Sequence, residues 1–362
     1  MLKIDVRTYI CSVQLICDKG DHMSSETIEV GSARAGSNQR SNGHLNVGDL
    51  PDGSAINLPV MILNGAKAGP VLWLHGLEDG NEYPGCMACI ELAKILTPQI
   101  SKMNGAVVML PAVNLTAFRG NPWGGGIRNA TADLDGGFAF PRQYPGNRNG
   151  GFSPQAAGVV WSALTKYATH HITFHGSGEM YGVDRVLLFH GAGKGYEETD
   201  KIARAFGMKV LLRFDVDPSK PKMADEGLIE KGVPVVSGES NGGPNGIGLG
   251  WECSSLVNGT LNVMRYLKMI DGEAKLRNDH MVVTYKAGGS GVYSHRGGFF
   301  RSHVKVLEKV SKDQTIGEIH NFFGDTVETI KSPVDGVVLG YWGKCPQIGS
   351  GQYRVFEIAS PV

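Results

Sequence analysis

The 362-residue chain lacks an excess of charge, a long apolar run and a cysteine framework, and each absence removes a class of function. Lys plus Arg and Asp plus Glu number 35 each, so the net charge is zero. With no basic run or stripe, neither nucleic acid nor an anionic membrane surface is an expected partner. No apolar stretch approaches the roughly 20 residues that a membrane-spanning helix needs. Six cysteines (Cys11, Cys17, Cys86, Cys89, Cys253 and Cys345) lie scattered, as reduced thiols of a cytoplasmic protein would. Cys86-Met-Ala-Cys89 has redox or metal spacing, but it sits in an apolar helical pattern from Cys86 to Leu96 with no second pair, so a packing role is expected. The expected partner is a small molecule, with a homo-oligomer left open.

Residues 1–25 carry Lys3, Asp5 and Arg7, a short apolar patch and no clear small-residue cleavage site, so a signal peptide is not expected. The segment is set aside as a leader or non-native stretch. From Ile28 to Pro70 the chain reads as short Gly-rich strands and hairpins. Strand-like runs (VLWLHG, GAVVMLPAVN, HITFHG, MKVLLRF, GVPVVSGES) then alternate with helix-like ones (YPGCMACIELAKILTPQI, SPQAAGVVWSALTKYA, YEETDKIARAFG, VNGTLNVMRYLKMI). That alternation predicts an α/β domain over 26–275, its sheet covered by helices on both faces. From 276 to 362 only short β-like runs remain, which predicts a C-terminal all-β module. Residues 115–153 form a long loop region rich in Gly, Asn and Arg, a length usual for functional or disordered loops.

Three strand ends carry unusual polar residues: LHGLEDGNE at 74–82, HHITFHGSGE at 170–179 and VVSGESNGG at 235–243. In open α/β sheets, ligands sit beyond the carboxyl ends of strands. A catalytic metal needs three protein ligands, an open position for water and a nearby carboxylate to take the water's proton. Asp or Glu from the first end, His175 from the second and Glu239 from the third supply that inventory. The competing reading is that acids in a strand-to-helix loop cap the helix and face its dipole.

These residues resemble the succinylglutamate desuccinylase/aspartoacylase family, relatives of the zinc carboxypeptidases, from about Gly31 to the C-terminus. INLPVMILNGAKAGPVLWL looks like the family's lead-in strands and GNEYPG like the surroundings of its first metal motif. PAVNLTAFRG resembles its Pro-x-x-Asn-Pro loop, HITFHG the strand ending in its third ligand, and VVSGESNGG the strand of its catalytic Glu. NGTLNVMRYLKMI looks like the following helix, and VKVLEKVSKDQTIGEI with SPVDGVVLG like its C-terminal β module. The resemblance implies a mixed sheet flanked by helices, zinc carboxypeptidase-like, and one divalent metal, zinc first, with Mn²⁺ or another ion as alternatives.

Two departures matter. The family's His-Gly-x-Glu falls on Asp79-Gly80-Asn81-Glu82, so the implied ligands are Asp79, Glu82 and His175, a harder set that favours ions such as Mn²⁺ more than His, Glu and His would. A literal His75-Gly76-Leu77-Glu78 lies four residues earlier, and His75 and Glu78 are candidates to support the ligands or to form a shifted site. The family's Asp-Leu-Asn-Arg-x-Phe-Pro, whose Asn-Arg pair suits a carboxylate clamp, is here Asp133-Leu134-Asp135-Gly136-Gly137-Phe138. Asp135 and Phe138 therefore shape a pocket for an uncharged, cationic or larger substrate, unless Arg142 or Arg148 reaches in from the loop.

Arg128 stands roughly where the family has an Arg suited to polarising the scissile carbonyl, with Arg119 a weaker candidate. Glu179 offers support for His175, and His170 and His171 read as surface or helix-end residues. The implied activity is metal-dependent hydrolysis of an N-acyl amino compound, with Glu239 as the base and Arg128 at the oxyanion. Two rivals stand beside it: a non-catalytic small-molecule-binding protein, and a metal-independent hydrolase using a nucleophile such as Ser240.

Overall fold

The computed structural model describes residues 26–119, 140–176, 180–217, 224–240, 253–286, 291–343, 347–349 and 354–362. A 14-stranded mixed sheet organises the chain. Its main strands are β1 (Gln39–Asp49), β2 (Ala55–Asn64), β3 (Lys67–His75), β4 (Asn104–Leu110), β5 (His170–Gly176), β6 (Arg185–His190), β7 (Val210–Asp215), β8 (Val235–Ser240), β9 (Met281–Thr284), β10 (Lys309–Val310), β11 (Gly336–Trp342) and β12 (Arg354–Pro361). They lie in the order β10-β11-β12-β9-β7-β6-β8-β5-β3-β4-β2-β1. The centre is parallel from β4 through β3 and β5 to β8, and β6 then runs antiparallel to β8.

Helices α1 (Pro84–Leu96), α2 (Phe152–Tyr167), α3 (Lys194–Phe206), α4 (Ala224–Glu230) and α5 (Ser254–Tyr266) cover both faces. α1, α3 and α5 bury Leu92, Ile202 and Val263 in one core layer, while α2 and α4 bury Val160 and Leu228 in the other. Helices on both faces explain why the central strands read as continuous apolar runs. The expected helices appear within a few residues of their sequence patterns; β6 and α4 are additional to those expected.

The C-terminal strands do two things. β9, β11 and β12 continue the main sheet, while Gly298–Ser302, Thr315–His320, Thr326–Lys331 and Gln347–Ile348 form a separate four-stranded sheet. The Cys86-x-x-Cys89 pair lies inside α1 with Cys89 fully in the core, as a packing role requires. Burial pushes both thiols above their ordinary range.

A close backbone approach places the site. A Cβ on Gly85 would stand 2.5 Å from the Phe174 Cβ, so only glycine lets α1 start directly against β5. Pro84 in the first turn suits a helix start, where its missing N–H is not needed.

Candidate metal centre

Strand parity sets the site. In β5, Ile172 and Phe174 point into one core layer, so His171, Thr173 and His175 point to the other face. The same alternation sends His75 of β3, Glu239 of β8 and Arg185 of β6 to that face, opposite Leu74, Val236 and Val186. Register then aligns them: His175 pairs with Glu239 across β5 and β8, and Glu239 with Arg185 across β8 and β6. Three charged or ionisable side chains thus form one row at neighbouring strand positions.

Beyond β3 the chain turns tightly, with the Glu82 N–H donating to the Asp79 carbonyl (3.1 Å). The turn brings two carboxylates to His175. Asp79, Glu82 and His175 each offer a ligand atom, and these atoms lie within 4.8 Å of one another. Glu82 Oε2 stands 3.3 Å from His175 Nδ1 and accepts the Gly176 N–H at 2.9 Å. Asp79 and Glu82 are buried and His175 nearly so. Burial opposes charge on His175, but the hydrogen bond and charge of Glu82, with the charges of Glu78 and Asp79, outweigh it and push its pKa up to about 10. A pocket that holds this much negative charge around one imidazole is suited to a cation. Two carboxylates and an imidazole make a donor set for Zn²⁺ or a harder divalent ion.

The literal His-x-x-Glu is also there, one layer deeper. His75 and Glu78 are buried and bonded to each other, Nε2 to Oε1 at 2.9 Å, and the other Glu78 oxygen is 3.4 Å from His175 Nε2. Burial works against the Glu78 charge, yet His75, His175 and His171 hold its pKa down at about 2. His171 is not a surface residue: it is 1% exposed, its Nδ1 lies 3.0 Å from the Trp73 carbonyl, and its ring tilts against His75 at 4.5 Å. The strand begins earlier than the sequence pattern suggests, which draws His171 inside. His170 is partly buried beside Thr169 Oγ1 (2.9 Å).

Asp225 of α4 belongs to the same neighbourhood. Burial, then the Glu78 charge, push its carboxyl up to about 7. An acid whose folded pKa exceeds its unfolded value near 3.8 loses stability as pH rises from about 4 to about 7, because the folded state then holds the extra proton. In chelator-treated protein, Asp225→Asn should raise the melting temperature at pH 8, by up to about 4 kcal/mol of stability, and leave it nearly unchanged near pH 4. Scanning calorimetry at the two pH values checks this.

Glu239 is 13% exposed and forms an ion pair with the Arg185 guanidinium. The Arg185 Nη1 also reaches Glu357 of β12 at 3.0 Å, and the Tyr285 hydroxyl donates to Glu357. Arg185, Tyr285 and Glu357 are additions to the residues that the sequence pattern singles out. A cavity of about 200 Å³ opens beside them, lined by Gly176, Arg185, Glu239, Tyr285, Arg354 and Glu357 among others.

Of the remaining expected residues, Arg142 is exposed at the end of a short 3-10 turn, Phe140–Arg142, Arg148 is exposed, and Arg119 closes the short helix Leu115–Arg119. Arg128, Asp135, Phe138 and Glu179 lie outside the described residues. Ser240 is buried and accepts a hydrogen bond from the Ser255 hydroxyl at 3.4 Å; among the described residues no histidine bonds to it.

No protein-family model and no curated protein matches the sequence. Solved structures do. The product-bound ectoine utilization protein EutE (DoeB) of Ruegeria pomeroyi is 21% identical over 89% of this chain and 95% of its own, with a TM-score of 0.75. A succinylglutamate desuccinylase from a Silicibacter species is 20% identical with the same coverage and a TM-score of 0.76. A succinylglutamate desuccinylase/aspartoacylase from Rhodobacter sphaeroides is 23% identical over 89% of this chain and 96% of its own, with a TM-score of 0.73. At these identities it is the architecture that is common: the chain shares the fold of the succinylglutamate desuccinylase/aspartoacylase proteins.

Proposed function

We propose that the protein is a metal-dependent deacylase of the succinylglutamate desuccinylase/aspartoacylase kind, hydrolysing the amide bond of an N-acyl amino compound. The observation that carries this reading is the convergence of Asp79, Glu82 and His175 from two strand ends, with Glu239 in register beside His175. The shared fold supports it, as does the desuccinylase name borne by two of the structural neighbours.

Asp79, Glu82 and His175 would hold one divalent ion, zinc or a harder ion such as Mn²⁺. Such an ion, when bound, polarises the amide carbonyl and lowers the pKa of its water. Glu239 takes the proton from the attacking water and returns it to the leaving nitrogen. Its register beside His175 at the end of β8, and its ion pair with Arg185, support that role. Arg128 is assigned to the developing oxyanion. Asp135 and Gly136 replace the residues suited to gripping a carboxylate, so the amine half of the substrate is uncharged, cationic or larger than an amino acid.

The test is a panel of N-acetyl and N-succinyl amines and amino acids, assayed for released amine on protein loaded with Zn²⁺ or Mn²⁺. Turnover that chelation abolishes supports the reading. Glu239→Gln should lower kcat by about 10²- to 10⁴-fold with metal content unchanged. Equal turnover by wild type and the variant would remove Glu239 as the base. Binding of panel compounds without turnover in either protein would favour a non-catalytic binder, and chelator-insensitive turnover would revive a nucleophile such as Ser240.

A further inference from the structure

The two ring nitrogens of His175 face two different glutamates. Nδ1 looks toward Glu82 Oε2 at 3.3 Å. Nε2 looks the opposite way, to Glu78 Oε2 at 3.4 Å, with the Thr173 hydroxyl at 3.3 Å. Only one nitrogen can ligate an ion, and a histidine ligand is oriented by the hydrogen bond its other nitrogen makes.

Glu78 is built to fill that second position. Its two oxygens are divided between two imidazoles, Oε1 to His75 and Oε2 to His175. It is buried, and its backbone carbonyl is held by the Asn114 side-chain amide at 2.9 Å. Asn114 also donates its backbone N–H to the Leu77 carbonyl at 3.0 Å. Leu77 itself sits at a φ of +55°, a left-handed conformation that a buried leucine rarely adopts. Backbone held in such a state persists where the surroundings over-determine it, and it clusters at functional sites. Here the left-handed residue stands immediately before Glu78, which meets His175 at Nε2, and Asp79, which joins the triad.

We propose that Glu78 is a positioning residue for the metal centre: it accepts the Nε2–H of His175, fixes the tautomer with a bare Nδ1, and so aims Nδ1 at the ion held with Asp79 and Glu82. His75, through its Nε2–H, anchors the other oxygen of Glu78 and keeps the carboxylate from rotating into the ligand shell. The inference rests on the metal-centre reading above and adds a residue that touches neither ion nor substrate.

Glutamine is the informative substitution. An amide offers one acceptor oxygen, whereas two imidazole N–H groups require two, so Glu78→Gln leaves one of them facing an NH₂ group. Loss of such an outer hydrogen bond reduces metal affinity about 10- to 100-fold in known sites, and that range is expected for Zn²⁺ here. The companion measurement needs no variant. Long-range ¹H–¹⁵N correlation spectra of ¹⁵N-histidine-labelled, Zn²⁺-loaded protein show which His175 nitrogen is metallated, the signal being identified by its loss in His175→Ala. The expected result is Nδ1 metallated and Nε2 carrying the proton, together with the weakened Zn²⁺ binding of Glu78→Gln in a titration. Metallation through Nε2, or a Glu78→Gln affinity within threefold of wild type in folded protein, overturns the role of Glu78 and leaves the metal centre standing. Failure of wild type to bind either Zn²⁺ or Mn²⁺ overturns both.

Discussion

Replacing Arg185 with methionine should destabilise the protein by about 3–5 kcal/mol, the loss typical when one partner of a buried ion pair is removed. The guanidinium is 6% exposed and serves two carboxylates, Glu239 at 13% and Glu357 at 3%. Their charges push its own pKa upward despite burial. Methionine fills the aliphatic volume but leaves two acids near one another with no cation between them. The loss should therefore be recovered largely in Arg185→Met/Glu239→Gln/Glu357→Gln, where the remaining cation that loses an acid is the part-exposed Arg354, 3.9 Å from Glu357. Urea denaturation of the single and triple variants decides the matter. A single variant within about 1 kcal/mol of wild type would mean that solvent or another cation already compensates the two acids.

The second large effect concerns the ligands. Wild-type protein dialysed against Zn²⁺ or Mn²⁺ should retain about one ion per chain, as three convergent donors with an open position predict. Structural zinc sites with four ligands bind with roughly 10–16 kcal/mol, so one ligand is worth about 3 kcal/mol. His175→Ala and Glu82→Ala should then weaken binding by about two orders of magnitude. Elemental mass spectrometry after dialysis measures the stoichiometry, and competition with a metallochromic dye measures the affinity. Glu82→Ala carries an additional penalty, because the Gly176 N–H donates to Glu82 Oε2 and loses its partner. A wild type that stays empty of both ions would remove Asp79 and Glu82 as working ligands.

How far the site is legible in the sequence depends on which forces are local. Asp79, Glu82 and His175 stand at strand ends flagged by Gly and Pro, and alternation along each strand decides which face a side chain takes. Those signals are contained within a few residues. Arg185 is hidden for two reasons. Its strand, Arg185–His190, has an apolar run of only four residues, Val186 to Phe189, a weak signal although Asp184 and Gly191 bracket it. Its partner Glu357 is 172 positions away on a strand that joins the main sheet, and nothing local announces such a pairing. His171 misleads because His170-His171 looks polar in sequence, whereas β5 already begins there and pairs with β3 and β8. The left-handed Leu77 is the least legible feature, since leucine carries no preference for that conformation.

The row of His175, Glu239 and Arg185 has a consequence for how such a site can change over generations. Its geometry is stored in strand register, with β8 parallel to β5 and antiparallel to β6. Side chains alternate with a period of two, so inserting or deleting one residue within any of these strands would turn every later side chain to the opposite face. Chemistry at the row is therefore free to drift by exchange of one residue type for another, whereas the lengths of the three strands are constrained. Insertions and deletions are confined to the loops that join them, and differences in reach and selectivity among proteins of this fold will be written there.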